Sequence, residues 1–308
     1  MAELFIELFS EEIPAKLQID ARQKIKQMID EKLQKKEINF KSSKTFSTPK
    51  RLVFFIEGIS EKIKQKKKII KGPKVDAPQT ALEGFIKSNN LSKRDIYKKN
   101  IEKGEFYFAN IKSKTIDVLE ELKFIVPDII QGYSWKKSMK WSTYDLNWGR
   151  PLKSIIALFN NKVIDFNFFH LKSNNLIFMD EINTEKQKKV NNFKNYLAIL
   201  KLQNIILDQE KREEIILRKF KNICNSRELK NHFDEKLIEE VVNLVEKPNV
   251  ILGKFDQIYL KVPHEILILT MQQHQKYFPL FDSNDKLTNM FLFVSNLPDE
   301  KNYIKIGN

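Results

Sequence analysis

The segment from Thr270 to Asp282 places three glutamines, a histidine and a lysine directly before a run of aromatic residues. The apolar stretch Glu265–Met271 predicts a helix that leads into the polar residues, and the aromatic run predicts a strand. The polar side chains then lie at a helix-to-strand corner, where amides and an imidazole can bind a partner. We expect His274 and Lys276 to help form a functional surface, while the Tyr-Phe pair that follows them anchors the strand.

A second segment places cations beside flat aromatic rings, a pattern that suits RNA because lysines contact phosphates while rings stack on unpaired bases. The alternative is that the tryptophans of this segment are core residues flanked by ordinary surface lysines. Together with the corner, the segment gives the candidate RNA-binding residues Lys136, Lys137, Lys140, Trp141, Arg150, His274 and Lys276.

Motifs for catalysis are absent from the sequence. It has no Gly-x4-Gly-Lys loop, no Gly-x-Gly-x2-Gly and only eight glycines, which argues against a nucleotide pocket built from backbone amides. The four histidines show no metal-ligand spacing, and the paired glutamates are expected to be solvated helix faces. We therefore expect no catalytic residues, no metal and no cofactor on this chain.

The net charge of +14 is compatible with two explanations. Clustered lysines suit a polyanionic partner, but an AT-rich genome also favours lysine, and the better phosphate ligand arginine occurs only seven times. The single cysteine, Cys224, points to a reducing compartment. The N-terminus lacks a signal peptide and no apolar run approaches the ~20 residues of a membrane span, so we expect a soluble, cytoplasmic protein that does not bind membranes.

The elements that must position these residues mix helices and strands without regular βαβ alternation, which favours an α+β fold over a doubly wound sheet. Gly72-Pro73, after a lysine-rich connector, and a polar stretch after residue 174 are the predicted boundaries. They give an N-terminal α+β domain over 1–71, a mixed domain with the basic and aromatic loop over 72–175, and a helical segment with a closing α+β region over 176–308. Asn160-Asn161 predicts a two-residue hairpin turn.

Short motifs along the whole chain, in this order and spacing, resemble the beta subunit of bacterial two-subunit glycyl-tRNA synthetase. These landmarks are Ile6–Pro14, Thr48–Leu52, Lys71–Pro73, Lys103–Glu105, Lys140-Trp141, Gly149–Pro151, Leu244–Pro248, Val262-Pro263, His274–Pro279, Asn296 and Gly307-Asn308.

The resemblance implies a non-catalytic subunit of a glycine–tRNA ligase that binds tRNA-Gly and docks on an alpha subunit, which holds the ATP, Mg and glycine site. It also implies an alpha2beta2 assembly, and a part of the fold similar to the B3/B4 domain of the phenylalanyl-tRNA synthetase beta subunit. Alternatives are a structural module that binds only the alpha subunit and, less favoured, a hydrolytic editing domain, for which no nucleophile is evident.

Two departures from the family pattern affect what the resemblance implies. The usual Gly-His-Arg-Phe element is replaced by Leu176–Ile182, which leaves the role of that element open. Family members continue beyond the position of Asn308 into HD-type and anticodon-binding domains. The sequence is therefore interpreted as an N-terminal part in which anticodon recognition is missing.

Overall fold

The computed structural model describes residues 2–64, 68–89, 91–111, 115–178 and 187–297. The landmark Gly307-Asn308 and the second half of Leu176–Ile182 lie outside these residues. The chain divides into two compact units. The large unit comprises Met1–Ile59 with Leu122–Asn308, and the small unit comprises Ser60–Glu121.

Helices and strands alternate irregularly along the described residues. The α-helices are α1 (Ala15–Lys35), α2 (Gln79–Ser88), α3 (Val118–Gly132), α4 (Phe193–Leu202), α5 (Gln209–Ser226), α6 (Glu235–Val242) and α7 (His264–Leu269). Two 3-10 helices, Lys93–Asp95 and Gln257–Lys261, and a π-helical turn, Thr270–Gln275, complete the helical elements of this part of the chain.

The strands are β1 (Ala2–Ser10), β2 (Ser42–Thr48), β3 (Arg51–Ile59), β4 (Lys62–Lys64), β5 (Lys68–Lys74), β6 (Ile96–Ile101), β7 (Gly104–Ile111), β8 (Thr115–Asp117), β9 (Leu152–Phe159), β10 (Lys162–Val163), β11 (Asn167–Phe168), β12 (Leu171–Lys172), β13 (Leu176–Phe178), β14 (Gln187–Lys189), β15 (Asn249–Lys254), β16 (Phe278–Phe281) and β17 (Leu287–Ser295). Their pairings are antiparallel, and the mixture confirms the predicted α+β class.

The main sheet of the large unit has the order β10-β9-β1-β3-β2 and is covered on both faces. Leu4, Ile6 and Leu8 of β1 lie with residues of α1 and α3 on one face. Phe5, on the other face, packs into a cluster that includes Tyr196 of α4. A central strand buried on both faces needs apolar residues in succession rather than in alternation, which explains why β1 reads as a continuous apolar run.

Helix α1 has the spacing of an amphipathic helix, because its buried residues Leu17, Ala21, Ile25, Ile29 and Leu33 recur every four positions. The hairpin turn predicted at Asn160-Asn161 is confirmed. Asn160 and Asn161 connect β9 to β10 with φ values of 46° and 65°, the left-handed conformation that a two-residue hairpin loop requires.

A second core joins α5 and α6 to the three-stranded sheet β15-β17-β16. Ile216 and Phe220 of α5 pack with Val241 of α6 and with Phe278 of β16. This core therefore fixes the strand that follows the polar corner at 270–276.

The small unit contains the sheet β5-β7-β6, helix α2 and the short pair β4-β8. Strands β6 and β7 form an antiparallel hairpin around Glu102-Lys-Gly104. The two compact units do not follow the boundaries predicted at 71/72 and 175/176. The lysine-rich stretch before Gly72 contributes to strands β4 and β5 instead of a linker, and composition alone does not distinguish an exposed strand from a connector.

Candidate nucleic-acid interface and polar cleft

The tryptophans of the basic segment divide into two classes. Trp135 and Trp148 are buried, with ring centroids 5.0 Å apart at 69°, so both are core residues. Gly149 is required beside them, because a Cβ at this position would lie 2.5 Å from the Trp135 ring. Trp141 is partly exposed and lies outside this pair. Two of the three tryptophans are therefore core residues, as the alternative interpretation proposed, and Trp141 remains at the surface.

Trp141 belongs to an exposed cluster that was not predicted. The rings of Tyr144 and His170 stack at 3.6 Å with 9° between their planes. Trp141 meets His170 edge-on at 5.9 Å and Tyr144 at 6.5 Å. We call these three residues the aromatic cluster. His170 follows Phe169, whose φ of 53° makes the tight turn between β11 and β12. Because His170 is 29 residues beyond Trp141, no local pattern signals their contact.

The predicted cations of this segment do not form one patch. Lys136 lies 3.0 Å from Asp20, and Lys140 lies 3.4 Å from Asp145, both measured from Nζ to a carboxylate oxygen. Arg150 donates to the Gly149 carbonyl oxygen at 2.8 Å and lines a pocket with Glu11 and Glu12.

Lys137 is exposed and, among the described residues, has no ion-pair partner. Lys137 and Lys140 lie shortly before Trp141 in sequence, and the Asp145 partner of Lys140 is largely exposed. Lys136 instead pairs with Asp20, whose side chain is only 15% exposed, and Arg150 donates to a backbone carbonyl oxygen. We therefore group Lys137 and Lys140 with the aromatic cluster as the candidate RNA-contacting set.

The corner at 270–276 is a π-helical turn that ends at Lys276, whose φ of 59° and ψ of 34° are left-handed. The Tyr277 N–H donates to the Met271 carbonyl oxygen at 2.8 Å and closes the turn. Phe278 is buried against Phe220 at 4.7 Å between ring centroids, while Tyr277 is half-buried and stacks on Phe291 at 4.4 Å. The prediction that this aromatic pair anchors the strand with at least one core member is confirmed.

The polar side of this corner borders a cleft of about 560 Å³ between the start of α1, α6 and the π-helical turn. Gln272, Gln273 and Lys276 line it together with Lys16 and the acidic Glu239 and Glu240 of the facing helix. Lys276 forms an ion pair with Glu240 at 3.0 Å. His274 is exposed on the same turn but does not line the cleft, so the two predicted corner residues do not share one pocket.

Several motif residues meet instead in a buried polar network. Arg51 Nε lies 3.2 Å from Glu7 Oε2, and Arg51 Nη1 lies 3.4 Å from Glu246 Oε2. The Tyr196 hydroxyl donates to Glu7 in a short hydrogen bond. The Asn296 Oδ1 accepts from the backbone N–H groups of Glu246 and Lys247, at 2.8 and 3.0 Å.

The pKa values of this network reflect its burial. Burial raises the pKa of the Glu7 carboxyl, against the attraction of Arg51. Burial alone would lower the pKa of Arg51, but the carboxylates of Glu246 and Glu7 outweigh it and raise this pKa. Burial and the neighbouring Glu7 raise the pKa of Tyr196 well above its ordinary value. The guanidinium thus remains charged, and the network is a structural ion pair without solvent access.

A second buried arginine ties four segments together. Arg212 donates to the carbonyl oxygens of Ile206, Leu207, Val242 and Ser47 at 2.7–3.0 Å. It was not predicted, because its partners are backbone carbonyl groups, and two of them, Val242 and Ser47, are 30 and 165 residues away in sequence.

Within the described part of the chain, no group of three or more His, Cys, Asp or Glu side chains is placed to hold a metal ion. No helix of that part is long and apolar enough to cross a membrane.

Comparison with known proteins gives one consistent family. The family model described as "Glycyl-tRNA synthetase beta subunit" matches residues 4–308. The glycine–tRNA ligase beta subunits of Rickettsia peacockii (strain Rustic) and Rickettsia felis are each 39% identical to the chain, over 296 and 298 residues. That of Rickettsia prowazekii (strain Madrid E) is 38% identical over 296 residues. These matches cover 96% of the chain but only 44–45% of the relatives, so the chain spans less than half of their length.

Proposed function

Because the chain belongs to the family of glycyl-tRNA synthetase beta subunits, we propose that it supports ATP-dependent glycylation of tRNA-Gly by binding the tRNA and docking on the alpha subunit. In this proposal the chain is non-catalytic and inactive alone, and the alpha subunit uses ATP with Mg. The enzyme is cytoplasmic and assembles as alpha2beta2.

The observation that supports the RNA-binding role is the aromatic cluster, together with Lys137 and Lys140, which precede Trp141 in sequence. Tyr144 and His170 present stacked rings at the surface beside the partly exposed Trp141. Aromatic rings stack on unpaired bases of any sequence, and adjacent lysines neutralise phosphates. Lys136 and Lys140 each pair with a carboxylate. Lys137 is exposed and has no such partner among the described residues.

A non-catalytic role is supported by what surrounds the polar groups. Among the described residues the buried carboxylates are Glu7 and Glu246, which are paired with Arg51 and have almost no solvent exposure. Groups in this setting stabilise the fold and cannot reach a substrate. A hydrolytic editing role, suggested by the B3/B4 resemblance, is the least favoured alternative. The residues lining the polar cleft are lysines, glutamines, carboxylates and aliphatic residues, without a Ser, Thr, Cys or His nucleophile.

Docking on the alpha subunit is supported by apolar surface near the corner. Helix α7 buries none of its residues, although four of its six residues are Ile or Leu. Four side chains of this region are more than half exposed: Ile258, Tyr259, Ile266 and Leu269. Exposed apolar side chains in such number are a feature of protein interfaces. It is also the feature that favours the second candidate function, a module that binds only the alpha subunit.

A mobility-shift titration of the chain with tRNA-Gly at several salt concentrations tests the proposal. Each phosphate contact contributes roughly 0.9 to the slope of log K against log salt. Changing Lys137→Gln with Lys140→Gln should therefore lower the slope by about two units. The matched pair Lys136→Gln with Arg150→Gln should lower it less, because Lys136 pairs with the mostly buried Asp20 and Arg150 donates to a backbone carbonyl oxygen, whereas the Asp145 partner of Lys140 is exposed. An unchanged slope in the first variant would assign the segment to the fold or to inert surface.

A further inference from the structure

The small unit carries a second surface in which rings and lysines alternate. In the sheet β5-β7-β6, Tyr97 lies opposite Phe108 and Lys99 lies opposite Phe106. On the other side of β7, Lys71 lies opposite Phe108 and Lys74 opposite Phe106. Directly opposed residues of antiparallel strands project from the same face. We call this surface the aromatic–lysine face; its members are Lys71, Lys74, Tyr97, Lys99, Phe106 and Phe108.

The two faces of this sheet differ in their exposure. Ala109, which projects to the other side of β7, is fully buried and lies opposite Ile70 and Ile96. On the aromatic–lysine face the three lysines are exposed, and the rings of Phe106 and Phe108 keep part of their surface in solvent. The apolar packing of the sheet is therefore on the side of Ala109, and the rings of the opposite face retain area for a ligand.

The lysines of the face are positioned over the rings. Lys71 Nζ lies 3.5 Å from the centroid of Phe106, and Lys99 Nζ lies 5.9 Å from that of Phe108. The rings of Tyr97 and Phe108 are 6.1 Å apart with 27° between their planes. Among the described residues, none of the three lysines of this face forms an ion pair with a carboxylate. Their charges are thus held beside the rings and are not neutralised there.

Positive charge is concentrated in the small unit. Residues 60–121 contain 15 Lys or Arg and nine Asp or Glu, a net +6 in 62 residues, whereas the other 246 residues carry the remaining +8. Compositional drift acts on a whole chain and does not select one unit or one face of a sheet. A positive surface with partly exposed rings has the two features that single-stranded nucleic acids require, phosphate contact and base stacking.

We propose that the aromatic–lysine face binds unpaired nucleotides of RNA, with bases on Tyr97, Phe106 and Phe108 and phosphates at Lys71, Lys74 and Lys99. This inference rests on the proposed tRNA-binding function and adds a second contact surface to it, separate from the aromatic cluster. It also specifies single-stranded RNA, because a sheet face with rings has no means of reaching bases that are paired within a duplex.

The test uses the full chain, a 12-nucleotide oligouridylate, an RNA duplex of equal length and a tRNA-Gly transcript. Phe106→Leu with Phe108→Leu removes stacking while keeping apolar side chains in the sheet. We expect at least about tenfold weaker binding of the oligouridylate, since each stacked base contributes substantially to affinity. Tyr107→Leu, on the opposite face of the same strand, is the control and should leave binding unchanged.

A neighbouring pair of lysines gives a test that does not disturb the core. Lys99→Gln, on the aromatic–lysine face, should lower the salt-dependence slope for the oligouridylate by about 0.7. Lys98→Gln removes the same charge one residue away on the opposite face and should change the slope less. Both lysines are exposed, so these variants remain informative if the double leucine variant does not fold.

Four results would overturn the proposal: equal effects of Lys98→Gln and Lys99→Gln, oligouridylate binding that survives the double leucine change in a folded protein, duplex binding as tight as single-strand binding, or equal affinity for polyglutamate. If the unmodified chain binds tRNA-Gly but not the oligouridylate, this inference fails while the proposed function stands. If it binds neither RNA, both fail.

Discussion

The buried polar network and the basic surface segment use cations in opposite ways. The chain has seven arginines, and two of them, Arg51 and Arg212, are almost fully buried with fixed carboxylate or carbonyl partners. The surface segment relies on lysines, which are exposed. A guanidinium holds several partners in a fixed plane, whereas an ammonium on a flexible stem stays hydrated and mobile. The buried arginines therefore stabilise the fold, and the exposed lysines are the candidates for binding.

The largest effect should come from breaking the buried network. Arg51→Met leaves Glu7 and Glu246 buried without a cation, and we expect the free energy of unfolding to fall by ~3–5 kcal/mol. Urea denaturation followed by circular dichroism measures the change. Arg218→Met, at an exposed position of α5, is the matched control and should change stability by less than ~0.5 kcal/mol. Similar losses in both variants would remove the distinction between inner and outer arginines.

The corner at 270–276 and the strand after it contain both kinds of side chain, a buried ring and more exposed polar groups. Phe278→Ala should lower the free energy of unfolding by ~3–5 kcal/mol, because its ring is buried against Phe220. His274→Ala with Lys276→Ala should lower it by ~1 kcal/mol or less, since the pair removes one exposed imidazole and one partly exposed ion pair.

The same polar double variant should impair aminoacylation when placed in the complete two-subunit enzyme, measured as glycine incorporation into tRNA. Should it unfold the protein, or leave aminoacylation intact, the corner is structural and the role assigned to His274 and Lys276 is wrong.

The smallest effect is expected from Lys136, a surface cation that also stabilises the fold through its ion pair with Asp20. Burial alone would raise the pKa of Asp20, but hydrogen bonds from Lys136, Lys24 and Tyr133 outweigh it and lower this pKa. The unfolded chain then binds more protons, so the stabilisation is present above about pH 4 and is lost as the pH falls through the folded pKa.

Lys136→Gln should accordingly lower stability at pH 7 by less than ~1 kcal/mol, with the difference from the unmodified chain shrinking towards pH 3. Thermal melts at both pH values, with Lys137→Gln as the control, measure this. A difference that persists at pH 3 would show that Lys136 acts through something other than the Asp20 carboxylate.

Local patterns were sufficient for much of the fold. The spacing of Leu17, Ala21 and Ile25 indicates the amphipathic helix α1, and Asn160-Asn161 predicts the hairpin turn, because each depends on neighbours a few residues away. Long-range contacts could not be predicted in this way. The Tyr144–His170 stack joins residues 26 positions apart, and the contacts of Arg212 with Val242 and Ser47 join residues 30 and 165 positions apart, so no periodicity encodes them.

The candidate sites show the same division. Lys136 and Lys137 are adjacent in sequence, yet one is paired with Asp20 of α1 and the other is exposed without a partner among the described residues. The domain boundary at 71/72 differs from the compact units because exposed strands such as β5 contain many lysines and resemble a linker in composition.

The unequal environments of the three tryptophans provide an intrinsic optical probe. Trp135 and Trp148 are enclosed, so their emission should be blue-shifted and protected from acrylamide, whereas Trp141 is open to solvent and to the quencher. Selective quenching therefore reports on one indole at the proposed RNA surface without any label. Loss of that quenching on addition of RNA would locate the ligand at Trp141, while the two enclosed indoles would report in the same spectrum that the core is intact.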